Sequence, residues 1–139
     1  MAKTATPALA QDPKTGGIMF GTGSESTVMD PATVAPTEVL QAGSDGAIVT
    51  ALEAYAEDNT VVDERMVLWL QPGGTGNWYV VRNKLMSAIT LSTSAVQTPV
   101  KFVDSQDPGT HIRLAPSDKL GVTHHVDQQS MVTAQWTDF

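Results

Sequence analysis

The histidines are the first residues of this chain whose chemistry could bind a metal: His111, His124 and His125. Adjacent residues of a β-strand point to opposite faces of the sheet, so His124 and His125 cannot both reach one ion without a bulge. The nearest acid, Asp127, lies in a predicted loop. The chain has no cysteine, and therefore neither a thiolate ligand nor a nucleophilic thiol. We expect no metal and interpret the histidines as surface or interface residues.

Other patterns that could carry catalysis are also missing. Two acidic pairs, at residues 57–58 and 63–64, flank residues 59–62, which lack the alternating oxygen ligands and turn glycine of a calcium loop. The glycine-rich run at residues 73–76 has no following lysine or helix, so it predicts a hairpin turn rather than a phosphate-binding loop. No serine lies in a nucleophile-elbow pattern. We therefore expect neither an enzyme nor a bound cofactor.

Four large aromatic residues have binding chemistry: Trp69, Trp78, Tyr79 and Trp136. Together they could stack on a carbohydrate. Large aromatic side chains in a small β-domain are more often core or subunit contacts, and we prefer that interpretation.

The bulk composition indicates one small globular domain. Of 139 residues, 41% are apolar and 17% are charged, which suits a single packed core. Fifteen acidic against eight basic residues give a net charge of -7 without a Lys/Arg cluster, which argues against a nucleic-acid partner. No run of eighteen apolar residues and no signal-peptide core is seen, so we expect a soluble protein without a membrane partner.

The clearest element is a β-hairpin: residues 64–70 and 77–81 are β-formers, and residues 71–76 are turn formers. Its first strand is apolar on both faces, with Met66, Leu68 and Leu70 on one and Val67 and Trp69 on the other. We expect a facing sheet to cover one face and a neighbouring subunit the other. Val67 and Trp69 are therefore candidate interface residues.

The remaining pattern is that of an all-β domain. Residues 47–58 suit a helix by local propensity and a strand by alternation, and we choose the strand because the flanking segments are β-like. Seven to nine short strands then follow one another, with turns every eight to twelve residues. This spacing predicts a mainly β fold, an antiparallel β-sandwich of jelly-roll-like type.

The N-terminal part is predicted as an extended arm, residues 1–36, before a β-sandwich domain at residues 37–139. Its first 26 residues are too poor in apolar side chains to fold alone, so the arm is either disordered or ordered against another surface. Ile18, Met19 and Phe20 form its one apolar island and are predicted interface residues.

Several stretches share a recurrent pattern: residues 36–43, 45–49, 67–70 before Trp78, the "apolar strand, turn, Lys-Leu strand" element at 112–120, and the closing strand at 131–134. In these stretches the chain resembles small tailed-phage virion proteins of the capsid decoration (cement) or accessory type. The resemblance covers residues 37–139. It implies a β-sandwich that associates with a major capsid protein.

Three functions are weighed on this basis. We prefer a capsid decoration protein that binds and stabilises the shell of the major capsid protein. It would be made in the host cytoplasm, lie on the capsid surface of the virion, and form a homo-oligomer, with a homotrimer expected from the resemblance. The alternative is a tail or baseplate accessory protein that binds a host glycan. A small enzyme is the third and least favoured function.

Overall fold

The computed structural model describes residues 12–20, 35–60, 62–124 and 130–139. These residues form nine strands: β1 (Asp12–Phe20), β2 (Thr37–Gln41), β3 (Ala47–Ala56), β4 (Glu64–Gln71), β5 (Tyr79–Met86), β6 (Val100–Val103), β7 (Ile112–Leu114), β8 (Lys119–His124) and β9 (Ser130–Asp138). Two short 3-10 helices, Pro72–Gly74 and Pro108–Thr110, lie in turns. No helix in the described part of the chain is long and apolar enough to cross a membrane.

The strands form two antiparallel sheets. One has the order β1-β9-β3-β6, with β7 also paired to β3, and the other has the order β2-β8-β4-β5. β7 pairs with the first residues of β3 and β6 with its later residues, so the two short strands together fill one strand position. Eight positions in two four-stranded sheets, in this order, make a jelly roll. The predicted mainly β, jelly-roll-like sandwich is confirmed.

The segment of ambiguous propensity is a strand, as predicted. β3 pairs with β9 along its length, with a bulge between Val49 and Ala51. Its buried residues are Ala47, Val49, Leu52, Ala54 and Ala56. Pairing on both sides of the strand therefore outweighs the helix propensity of alanine, leucine and glutamate.

The predicted hairpin is also present, as β4 and β5. Its second strand begins at Tyr79, two residues later than predicted, and runs on to Met86. Gly73, Gly74 and Gly76 in the turn have φ of 66°, 73° and 83°, a region that favours glycine. The amide of Gly73 donates a hydrogen bond to Asp118 Oδ1 at 2.8 Å, which ties the hairpin turn to the turn before β8.

The hydrophobic core lies between the two sheets. Its largest fully buried side chains come from both sheets: Leu52, Met66, Leu68, Phe102, Leu120, Val122 and Val132. Leu70 lies at its margin, partly buried.

The segment Asp12–Phe20 belongs to the sandwich, although the sequence placed it in the arm. It pairs with β9 over nine residues, Ile18 packs against the core, and the indole of Trp136 lies over Gly16. Aspartate, proline and glycine are poor β-formers, so this strand is held by its partner and not by local propensity. A domain boundary at residue 36 thus leaves one strand of the jelly roll on the arm's side. The rest of the arm up to residue 34 lies outside the described residues.

Candidate interaction surface

The outer face of β4 is covered within the chain itself. Val67 and Trp69, the predicted interface residues, are 0% and 2% exposed. The indole Nε1 of Trp69 donates a hydrogen bond to Thr123 Oγ1 at 2.8 Å. The cover that the sequence analysis assigned to a neighbouring subunit is therefore provided by the same chain, and these two side chains offer no free surface.

Part of that cover comes from Pro36 and Trp78, which close over Gly121 of β8. A Cβ at Gly121 would lie 2.9 Å from Pro36 Cβ and 3.0 Å from Trp78 Cη2. Gly121 is the register partner of Trp69. The missing side chain of one glycine thus lets two bulky residues close the face beside Trp69.

The predicted apolar anchor also serves the fold. Ile18 packs inward against the core. Met19 and Phe20 lie in β1, and their side chains are outside the described part of the structure.

The exposed apolar surface lies instead on β5. This strand ends the sheet β2-β8-β4-β5. Tyr79, Val80, Val81 and Leu85 are 57%, 42%, 37% and 60% exposed. The sequence shows that residues 79–81 are consecutive β-formers, but it does not show that their strand is an edge, so this surface was missed.

A cleft of about 580 Å³ lies beside the last residues of β5. One wall contains Lys84, Leu85 and Met86 from β5, and the other contains Val100 and Lys101 from β6. The connecting loop completes it with Ser87, Ala88, Ile89, Val96, Gln97, Thr98 and Pro99. Because β5 and β6 each end a sheet, the cleft lies between two sheet edges.

The loop that contributes to the cleft lining is anchored at two points. Thr60 and Ile89 exchange backbone hydrogen bonds of 2.9 and 3.0 Å. The side-chain amide of Gln97 accepts from Ala56 N at 2.6 Å and donates to Ala56 O at 2.9 Å. The loop is thus fixed against Ala56, the last residue of β3, and against Thr60 in the segment that follows.

The one acid–base pair of catalytic type in the described residues is sealed in the core. His124 Nδ1 is hydrogen-bonded to Glu64 Oε1, and both side chains are 0% exposed. The interpretation of His124 from the sequence as a surface or interface residue is therefore wrong. Its side chain lies on the inner face of β8 and points into the core. Neither side chain of the pair has solvent-exposed surface at which a substrate could contact it.

The remaining histidines do not assemble a metal site in the described residues. His111 is half-buried before β7, and His125 lies outside the described residues. Within the described ranges no group of three or more His, Asp or Glu side chains could hold a metal ion. That the protein works without a metal stays a prediction.

The four aromatic residues are not gathered on one face. Trp69 is buried, Trp78 is half-buried over Gly121, and Trp136 lies on β9 in the other sheet. Tyr79 alone among them is largely exposed. A stacking platform built from all four is therefore not formed.

Lys14 and Asp138 join β1 to β9 at one end of the sandwich. Lys14 Nζ donates to Asp138 Oδ2 at 2.5 Å, and the amide of Gly43 donates to Asp138 Oδ1 at 3.1 Å. The hydrogen bond to Asp138 raises the pKa of Lys14 above its usual value. This contact fixes the start of β1 against the β2–β3 turn.

Comparison with known proteins adds little to this picture. No model of a known protein family matches the chain, and no curated protein matches it. One solved structure, that of Eiger TNF from S. frugiperda, aligns over 92% of this chain and 94% of that chain, with a TM-score of 0.38 and 14% identity. This likeness is too distant to carry an argument, and the jelly-roll assignment rests on the strand order.

Proposed function

We propose that this chain is a structural virion protein, a capsid decoration protein that binds the major capsid shell and further copies of itself. The observation that carries the proposal is the apolar edge of β5. Natural sheets usually protect an edge with charge, proline or a covering loop, whereas Tyr79, Val80 and Val81 stay exposed here. An uncovered apolar edge fits a protein that is covered in its assembly.

The burial of the Glu64–His124 acid–base pair supports a binding role over a catalytic one. The Glu64–His124 pair is enclosed in the core, and the cleft beside β5 is lined by apolar side chains, two lysines, and the uncharged polar residues Ser87, Gln97 and Thr98. A proton-transfer group must come within hydrogen-bond distance of its substrate, and a sealed pair cannot. Binding surfaces are therefore the features that this fold leaves accessible.

Co-sedimentation with purified capsids of the phage that encodes the chain tests the proposal. We expect saturable binding at a fixed ratio to the major capsid protein, and greater resistance of the bound shells to heat. The doubly substituted variant Tyr79→Lys/Val81→Lys should bind less, while Val62→Lys, which changes an exposed valine elsewhere, should bind as the wild type does. Absence of the wild-type chain from the capsid pellet would refute the proposal.

The alternative of a tail or baseplate protein that binds a glycan has weaker support, because the four aromatic residues are dispersed. Glycan-array binding without capsid binding would favour it.

A further inference from the structure

We propose that the cleft between β5 and β6 binds a short extended peptide segment of a protein partner, one that alternates apolar and acidic residues. This inference deepens the proposed function, since in a decoration protein the partner would be a capsid protein. It rests on the geometry, the apolar lining and the charge of the cleft.

The geometry suits an added strand. β5 pairs with β4 and β6 pairs with β3, and each strand is the last of its sheet in the described structure. The outer backbone groups of an edge strand can hydrogen-bond an extended peptide, which is a common mode of peptide recognition.

Arg82 lies on β5 two residues before the first β5 residue of the cleft lining, Lys84. Its guanidinium donates to the carbonyls of Phe102 and Thr110, at 2.5 and 2.6 Å, and so ties β5 to β6 and the turn that follows. After Met86, a loop connects β5 to β6, and hydrogen bonds of Gln97 and Ile89 hold this loop in place. The cleft is therefore formed before a ligand arrives, which lowers the ordering cost of binding.

The lining provides apolar contacts for alternate side chains of such a peptide. Leu85 on one wall is 60% exposed, and Val96 in the loop is 99% exposed. Ile89, Pro99 and Val100 line the same space. Side chains of an extended peptide point alternately in opposite directions, so every second residue would meet this apolar lining.

The charge of the cleft is opposite to that of the chain. The protein carries a net charge of -7, yet the cleft contains Lys84 and Lys101 and no acidic residue. Lys101 makes an exposed ion pair with Asp104 at 3.4 Å. Carboxylates of an incoming segment would be attracted to the two ammonium groups, and the complementarity would favour an acidic segment over a basic one.

A second copy of β5 is a poorer occupant of the cleft, which is a separate surface from the exposed Tyr79 and Val81 side chains through which copies are proposed to associate. Antiparallel pairing of two β5 strands centred on Asn83 would place Arg82 opposite Lys84 of the other copy. Like charges directly opposite each other in a sheet are destabilising. In this register the like charges disfavour self-pairing, whereas the two lysines of the cleft would attract an acidic segment from a different protein.

Fluorescence anisotropy on the isolated full-length protein tests the inference. The probe is a labelled peptide of about eight residues that alternates valine with aspartate, and the matched probe has lysine for aspartate. We expect the acidic peptide to bind, the lysine peptide to bind at least about tenfold more weakly, and the affinity for the acidic peptide to fall as salt rises.

Variants locate the binding. Lys84→Glu/Lys101→Glu should weaken the acidic peptide by about tenfold or more, and Leu85→Asp should also weaken it. Arg113→Glu, an exposed charge reversal on β7, is the matched control and should leave the affinity unchanged. Circular dichroism and thermal melting confirm that each variant is folded.

Failure of this inference is distinguishable from failure of the proposed function. Absence of acidic-peptide binding, equal binding of both peptides, or unchanged binding by Lys84→Glu/Lys101→Glu would overturn the cleft proposal, while capsid co-sedimentation of the wild type would still support decoration. Specific peptide binding without capsid co-sedimentation would keep the cleft and reject decoration.

Discussion

The edge strands β1 and β5 differ in the side chains that they place at the edges of their sheets. β1 carries Pro13, Lys14, Gly16 and Gly17, so it offers a missing amide, a charge and two positions without side chains. These are the devices by which natural proteins discourage strand addition at an edge. β5 instead exposes tyrosine, valine and leucine side chains. β5 also carries charge, at Arg82 and Lys84, so what distinguishes it from β1 is the exposed apolar side chains of Tyr79, Val80 and Val81 at its start.

The two strands also differ in what they contribute: β1 supports the fold, and the exposed part of β5 is available for association. β1 contributes inward, through Ile18 on the core and Gly16 beneath Trp136. The exposed side chains of β5 contribute little to the core, to which this strand supplies Met86. Changes on β1 should therefore reduce stability, and changes on the outer part of β5 should reduce binding.

A substitution in β4, the strand paired with β5, sets the scale of interior effects. Replacing Glu64 by Ala leaves His124 buried without its carboxylate partner. Removing one member of a buried pair costs about 3 to 5 kcal/mol, which we expect as a loss of unfolding free energy in urea denaturation. The control Asp58→Ala changes an exposed acid and should cost much less. A loss below about 1 kcal/mol for Glu64→Ala would mean that the pair is not part of the core's stability.

Deletion of residues 1–20 is the next largest expected effect. It removes β1 and uncovers the edge of β9, and loss of the Ile18 contact alone should cost about 1.5 to 3 kcal/mol. An arm outside the domain, as the sequence predicts, would leave the stability of the domain unchanged by this deletion. The strand pairing now predicts a folded but less stable domain. Deletion of residues 1–11 keeps β1 and is the matched control. Equal melting temperatures for the two deletions would contradict a structural role for β1.

Charge placed on β5 should change association without changing stability. Tyr79→Lys/Val81→Lys alters exposed side chains, for which unfolding free energies usually change by less than about 0.5 kcal/mol. Light scattering at tens of micromolar, roughly the range where a weak oligomer persists, should show wild-type oligomers and a monomeric variant. A wild-type monomer, or an oligomeric variant, would show that the β5 surface does not hold copies together.

The elements that the sequence predicted are those with a local pattern. The hairpin carries its own turn residues, and β3 follows an alternation of buried and half-buried positions. β1 has no such pattern, because its place is set by pairing with residues more than a hundred positions away. The sequence also could not show that Gly121 makes room for Pro36 and Trp78, which is why Val67 and Trp69 looked like interface residues.

The candidate surface was less predictable than the fold for a related reason. Tyr79, Val80 and Val81 have the same β-forming character as the buried Val67, and only the strand order separates an edge from a centre. The cleft likewise depends on residues from β5, β6 and the loop between them, which become neighbours through the fold of both sheets. Likewise, Glu64 and His124 are 60 positions apart and meet only through the pairing of β4 with β8.

The smallest expected effect concerns the ion pair that fastens β1. The hydrogen bond from Lys14 to Asp138 raises the pKa of Lys14 above its usual 10.5. A raised pKa means that the folded state holds this proton more tightly than the unfolded state does, so the contribution is fully present below pH 10.5 and is lost as the pH rises through the raised value. Lys14→Met keeps the aliphatic stem and removes the charge. We expect the wild type to melt slightly above Lys14→Met at pH 9, with the difference shrinking above about pH 10.5. All other residues are the same in the two proteins, so the difference between their melting temperatures isolates Lys14. A difference that stays constant from pH 9 to pH 11 would show that the ammonium–carboxylate contact does not fasten this edge.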